Sequence, residues 1–264
     1  MQSLFEPLKK MSPLRVKRDG NMGLFRKIWA IYGIVVFFGL WLAFSPLYLI
    51  AFLTFPRPWY RQIIWFSHHI YTRCFFGLTL IRIKVEGRKK LSRRENYIIV
   101  SNHRSTIDFM INAYAFPGVY KFLAKKELAR VPLFGMIVKR LCVLVDRSSA
   151  ASRRKSIQYL KRTLDEGFSV FIYPEGTRNT SGEPLGTFFK GAFRIAIETQ
   201  TPIAIQTIIG IDRVCGRGST LDLSPGAVTV KWAAPVPTEG LTMKDLPDLM
   251  ARVRQIMTEQ IQSA

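Results

Sequence analysis

Two short runs carry side chains that could do acid–base chemistry and bind an anion. The first is Asn102-His103-Arg104-Ser105-Thr106-Ile107-Asp108. On one helix an imidazole and a carboxylate five positions apart would point about 140° away from each other. Here the preceding YIIVS (97–101) reads as a strand, and a helical pattern (DFMINAYAF) begins at Asp108. His103 therefore lies on a strand-to-helix turn and Asp108 in the first helical turn. Helical side chains tilt back toward the N-terminus, which lets Asp108 reach the imidazole. A carboxylate on one ring nitrogen fixes the tautomer and leaves the other nitrogen as a base. That pair is the minimum equipment for deprotonating a hydroxyl. The same spacing also fits a capping box, with Ser105 as N-cap and Asp108 at N3.

The second run is Tyr173-Pro174-Glu175-Gly176-Thr177-Arg178-Asn179, which follows the apolar SVFIY (169–173). Gly176 permits an unusual backbone angle. Arg178 offers a planar fork of donors suited to phosphate. Alone, the run also describes a surface turn with a solvated arginine. Further cations follow other strands: Lys125 and Lys126 after 119–124, Arg147 after 142–145, and Lys190 at the opening of a helix. Ligands of open α/β sheets gather beyond the carboxyl ends of strands. Converging there, these cations would form an anion site, although each taken singly is a solvated charge.

These residues need a sheet to bring them together. β-rich runs recur at 80–85, 97–101, 119–124, 142–145, 169–173, 202–208 and 227–232. Helical patterns lie between several of them. In 152–166, Ile157, Leu160 and Leu164 form one apolar stripe opposite a basic face. A second helix follows Lys190, and a third spans about 243–261. The alternation predicts an α/β fold, a mixed and largely parallel sheet flanked by helices. No repeat or linker divides residues 78–264.

Residues 1–23 form a basic tail, and 24–77 read as a helical membrane anchor. The 264 residues carry 39 basic and 18 acidic side chains, a net charge of +21, which points to an anionic partner. With 48 % apolar residues the chain can build a core, so global disorder is excluded. Cys74, Cys142 and Cys215 lie far apart, which excludes a zinc ribbon or disulfide framework and suits a reducing compartment. From 28 to 56 there is no charged residue, about the length a membrane span needs and too long for a secretory signal. Pro46 predicts a kink or break near Ser45. Basic residues flank the run on both sides, so a hairpin that dips in and returns keeps both clusters cytoplasmic, whereas a single span would not. The next stretch places Trp59, Ile63, Phe66 and Ile70 at helical spacing, as an interfacial aromatic helix or as one packed on the following domain. His68 and His69 lie there without a nearby cysteine or paired carboxylate, so no metal site is expected.

NHRSTID, AKKEL followed by VPLFG, VDR, YPEGTRN and FKGAF occur in the order and spacing of the four-motif glycerolipid acyltransferases. Over about residues 80–235 the sequence resembles that family, and within it most resembles bacterial 1-acyl-sn-glycerol-3-phosphate acyltransferases. The resemblance implies transfer of a fatty acyl group from an acyl thioester to the free hydroxyl of 1-acylglycerol-3-phosphate, giving phosphatidic acid for phospholipid biosynthesis. It implies His103 as general base and Asp108 as its orienting partner. Arg178, assisted by Lys125, would bind the lysolipid phosphate. Asn102, Arg147, Glu175, Gly176, Thr177 and Lys190 would shape the site. It implies no bound cofactor and no metal. Acyl-coenzyme A or acyl carrier protein thioester would be the co-substrate, and the membrane bilayer and lysophosphatidic acid the partners, with no nucleic acid. The active site would lie at the cytoplasmic face of the inner membrane. No serine or cysteine nucleophile is needed, and no G-x-S-x-G occurs. Arg104 stands where the family often has glutamine, Tyr173 where it has phenylalanine and Asn179 where it has serine. Pro202-Ile203-Ala204-Ile205 lacks the second proline of the usual fourth motif, which bears on acyl-donor packing. Two alternatives are an acyltransferase for another lysophospholipid or a lyso-ornithine lipid, and a non-catalytic basic membrane-binding protein.

Overall fold

A computed structural model of the chain describes residues 20–54, 60–125, 142–145, 150–216 and 221–264. Seven strands form one sheet: β1 (Ile81–Glu86), β2 (Ile98–Ser101), β3 (Tyr120–Lys125), β4 (Cys142–Val145), β5 (Ser169–Ile172), β6 (Ile203–Ile209) and β7 (Gly226–Trp232), in the order β1-β7-β6-β2-β5-β3-β4. Each of the seven expected runs is a strand. All neighbouring pairs are parallel except β6 with β7. The sheet is thus mixed and mostly parallel, and β2 sits at its centre between β5 and β6.

Alternation along the central strands divides the core in two. Ile99, Phe171 and Ala204 face one layer with Phe75, Phe76 and Met110, under α3 (Thr72–Leu78) and α4 (Asp108–Ala115). Ile98, Val170, Ile203 and Ile205 face the other. That side is covered by α5 (Ala150–Asp165), α6 (Gly191–Thr199) and α8 (Leu246–Gln262), through Leu160, Phe193 and Val253. A short helix, α7 (Ile211–Val214), follows β6.

The N-terminal helices run antiparallel across the first layer. α1 (Gly20–Thr54) spans about 52 Å at 1.5 Å per residue. It includes Gly23–Leu47, long and apolar enough to cross a membrane by length and composition. The break expected at Pro46 does not occur, because the helix runs through it. The carbonyl that Pro46 leaves without an N–H donor belongs to Leu42, and the Ser45 hydroxyl donates to it at 3.1 Å. α2 (Tyr60–Phe66), a π turn at Ser67–Tyr71 and α3 return along α1. Trp29 Nε1 donates to the Thr79 carbonyl, Tyr32 to that of Leu78, and Tyr71 to that of Phe37. Of the expected apolar stripe, Trp59 lies outside the described residues, Ile63 and Ile70 are half-buried and Phe66 is exposed. Ile64, His69, Thr72, Phe75 and Phe76 are buried, whereas Trp65 and Phe66 remain exposed. The buried face starts at Ile64, before the π turn, and the turn then makes the step to His69 five residues, which rotates the face further. Val119 and Phe168 complete the small cluster around Ile64, so this helix packs on the domain.

Candidate active site

β2 and β5 are adjacent and parallel, so the runs that follow them leave the same edge of the sheet side by side. Asn102 directs the exit from β2. It is 1 % exposed, its Nδ2 donates to the Ile208 carbonyl at 2.9 Å, and its Oδ1 accepts the Ile208 N–H at 2.8 Å. One side-chain amide thereby extends the β2–β6 ladder past Ser101 while the main chain turns away.

That turn carries His103, and Asp108 opens α4. His103 Nδ1 lies 2.9 Å from Asp108 Oδ2. The same oxygen accepts the backbone N–H groups of Arg104 at 2.7 Å and Ser105 at 2.8 Å. Asp108 holds the imidazole and accepts the Ser105 N–H, but the expected capping box with Ser105 as N-cap and Asp108 at N3 does not form, because the helix starts at Asp108. The N-cap residue itself is Ile107, and Ser105 Oγ accepts its N–H at 3.2 Å. A carboxylate oxygen only accepts, so the imidazole in contact with it presents Nδ1–H, and Nε2 is left as the acceptor. The Asp108 side chain is fully buried, and that of His103 is 21 % exposed. A positioned base with one open edge can take a proton from a hydroxyl.

After β5, a turn closes with the Gly176 N–H on the Tyr173 carbonyl at 3.1 Å, and Gly176 takes φ +69°. A Cβ there would be strained and would meet the Phe189 ring at 3.1 Å. Glu175, 4 % exposed, points inward. Its Oε1 accepts the His103 N–H at 2.9 Å and its Oε2 the Gly186 N–H at 2.7 Å. Burial raises its carboxyl above the ordinary range, against the two amide bonds and the nearby His103 and Arg104. Asn179 N–H donates to the His103 carbonyl at 2.6 Å, a further tie between the two runs. Thr177 and Arg178 are exposed on the turn, and Lys190 is exposed at the start of α6. Lys125 ends β3 at the same sheet edge, and its side chain lies outside the described residues, as does Arg147.

Several residues of the site were not singled out from sequence. Arg104 is a buried clamp. Its Nε and Nη2 grip Asp212 at 3.2 and 2.8 Å, and Nη1 donates to the carbonyls of Glu183 and Pro184 at 2.8 Å each. Asn112 and Gln206 form a buried pair beside Tyr173, with Gln206 Nε2 donating to Asn112 Oδ1 at 2.8 Å. Their signal was present: a polar residue one turn after Asp108, and a glutamine inside the otherwise apolar run IAIQTII.

An apolar groove of about 280 Å³ opens beside the His103 turn. Thr106, Ile107, Met110 and Cys215 line it on the domain side, and Gly33 and Phe37 of α1 form the opposite wall. Arg26 fastens that wall. It pairs with Asp222 and donates to Ser224 Oγ at 2.6 Å and to the Arg213 carbonyl at 2.9 Å.

The chain belongs to the acyltransferase family. The family model described as Acyltransferase matches residues 82–208. An uncharacterized acyltransferase of Schizosaccharomyces pombe is 31 % identical over 74 % of this chain and 72 % of its own length. Human 1-acyl-sn-glycerol-3-phosphate acyltransferase alpha is 33 % identical over 67 % of this chain, which spans 62 % of that protein. The 1-acyl-sn-glycerol-3-phosphate acyltransferase of Limnanthes douglasii is 28 % identical over 92 % of this chain and 86 % of its own. The fold is that of the crystal structure of the 1-acyl-sn-glycerophosphate (LPA) acyltransferase PlsC from Thermotoga maritima, with a TM-score of 0.70 at 21 % identity over 91 % of this chain and 96 % of that one.

Proposed function

We propose that this acyltransferase makes phosphatidic acid from 1-acylglycerol-3-phosphate and an acyl thioester of coenzyme A or acyl carrier protein. The observation that carries the reading is the His103–Asp108 pair, 2.9 Å apart, on a turn whose Thr106 and Ile107 line an apolar groove. The names of the relatives supply the acceptor. His103 Nε2 takes the proton of the free glycerol hydroxyl as its oxygen attacks the thioester carbonyl carbon. The tetrahedral adduct collapses, the carbon–sulfur bond breaks, and the thiolate leaves with that proton from the imidazolium. No protein-bound acyl intermediate is required.

The groove takes the fatty acyl chain, which prefers an apolar wall to water. Arg178 meets the lysolipid phosphate, assisted by Lys125 at the end of β3 and by Lys190 at the start of α6, and Arg147 is assigned to the same anion site from its motif. Glu175, Gly176, Thr177 and Asn102 shape the turns that carry these groups. α1 anchors the chain in the bilayer at the cytoplasmic face of the inner membrane. Its Ala30 and Gly33 pack on the domain, while Leu24, Ile28, Ile31, Val35, Phe38 and Leu42 are exposed. An anchored site spares the lysolipid transfer of its tail to water, which costs on the order of 12 kcal/mol for 16 carbons at ~0.8 per CH₂.

The test uses the purified full chain in detergent. It is offered lysophosphatidic acid, a lysophosphatidylethanolamine and a lyso-ornithine lipid, each with both thioester types, and products are read by mass. Phosphatidic acid as the main product is expected. Acylation of another acceptor alone would assign the chain to a different lysolipid, and no acylation at all would contradict the reading.

A further inference from the structure

We propose that Tyr173 is a positioning residue for His103, its ring fixing the plane of the imidazole and its hydroxyl locked by Asn112 and Gln206. The proposal rests on the reading of His103 as the base. The two rings lie face to face, with centroids 3.9 Å apart and planes 14° from parallel. The bond from Nδ1 to Asp108 fixes one ring atom but leaves the imidazole free to rock about that contact. A flat surface against its face removes that motion and holds Nε2 in one direction.

The tyrosine is itself held. Asn112 Nδ2 donates to its hydroxyl at 2.5 Å, and Gln206 Nε2 donates to Asn112 Oδ1 at 2.8 Å. Asn112 and Gln206 are both 0 % exposed. Asp108 and Asn112 are four residues apart on α4, hence neighbours on one helix face. One turn of one helix therefore supports both stacked rings, Asp108 from the imidazole side and Asn112 from the phenol side. A buried amide is costly without partners. The Asn112–Gln206 pair therefore suits a tyrosine at 173, where the phenylalanine frequent in the family would leave Asn112 Nδ2 without this acceptor. Burial, followed by the nearby Asp108, raises the phenol well above its ordinary range, so it stays a neutral hydroxyl at working pH.

The test compares Tyr173→Phe, which keeps the ring face, with Tyr173→Leu, which removes it. A misplaced catalytic group of about 1 Å can cost on the order of 10²-fold. Tyr173→Leu is expected to lower kcat at least about tenfold, with KM for both substrates within about twofold of wild type. Tyr173→Phe should recover most of that loss. The readout independent of turnover is the spectrum of ¹⁵N-histidine-labelled protein, which is tractable because the chain has three histidines. His103 should give one sharp Nδ1–H tautomer in the wild type and broadened, averaged signals in Tyr173→Leu. Should that variant not fold, Tyr173→Met removes the flat ring with less loss of volume and should broaden the same signals. A Tyr173→Leu kcat within about twofold of wild type, or His103 signals unchanged in the folded variant, overturns the proposal. Absence of transfer by the wild type would refute the assigned reaction, while the spectra would still decide the ring arrangement.

Discussion

Glu175 holds His103 by its main chain: Oε1 accepts the His103 N–H at 2.9 Å, and the other oxygen accepts that of Gly186 at 2.7 Å. The carboxylate thus staples the turn after β5 to the turn after β2 and leaves the imidazole to Asp108. Both donors are backbone N–H groups, so the staple depends on a side chain with two acceptors.

Glu175→Gln keeps one acceptor and turns an N–H₂ toward Gly186, so transfer should fall about tenfold or more. The pH dependence of stability has a definite sign. Burial raises the folded carboxyl above its ordinary value of 4.5. The folded state then holds this proton more tightly than the unfolded state. The associated stability is present below about pH 4.5 and is lost as pH rises through the higher folded value. Glutamine does not titrate. The melting temperature of wild type minus that of Glu175→Gln should therefore grow as pH falls from 7 toward 4.5. A difference that shrinks over that range would show the carboxylate favoured by its two amides.

Arg104→Ala should destabilise the fold. It would leave the Pro184 carbonyl without its donor and take one partner each from the Glu183 carbonyl and the partly exposed Asp212, at a cost of about 2–3 kcal/mol. Melting should drop by roughly 5–10 °C. Arg104→Lys should rescue little, because an ammonium cannot grip Asp212 and two carbonyls at once. A melting temperature unchanged in the alanine variant would remove the clamp from the account.

Gly33 lets α1 approach the domain closely. A Cβ there would meet Leu223 Cδ2 at 2.6 Å. Gly33→Leu should fill part of the groove and move acyl-donor preference toward shorter chains. The kcat/KM ratio of a 16-carbon to a 10-carbon donor should fall about tenfold. An unchanged ratio would place the acyl chain elsewhere.

Arg178 is exposed on its turn, and the proposed reaction assigns it to the phosphate. Arg178→Ala should raise KM for lysophosphatidic acid about tenfold, near the lower end for a charged hydrogen bond. An acceptor without a phosphate monoester should lose less. Equal losses across acceptors would move Arg178 to the donor or to the fold.

The strands were legible because a sheet buried on both faces needs continuous apolar runs, and such runs mark themselves in IIVS, SVFI and IAIQTII. His103 and Asp108 were legible because a turn between strand and helix is local. Pro46 misled because the compensating hydroxyl of Ser45 is one residue away and follows no periodicity. The stripe from Ile63 to Ile70 misled because Ile64, not Ile63, meets Val119 and Phe168, and a π turn changes the period beyond it. Asn112 and Gln206 left a signal as polar residues at apolar positions, but their partners and those of Arg104 are joined by the sheet order and not by sequence spacing.

The most direct test of the account is acyl transfer by purified wild type, His103→Ala and Asp108→Asn, measured as phosphatidic acid formed from lysophosphatidic acid and a thioester. Loss of a general base typically costs about 10²–10⁴ in rate. His103→Ala should fall into that range with its melting temperature and detergent behaviour preserved, and Asp108→Asn should also be severe, because it mis-sets the tautomer. A folded His103→Ala variant that keeps more than about a tenth of wild-type activity would contradict the assignment of His103 as the base.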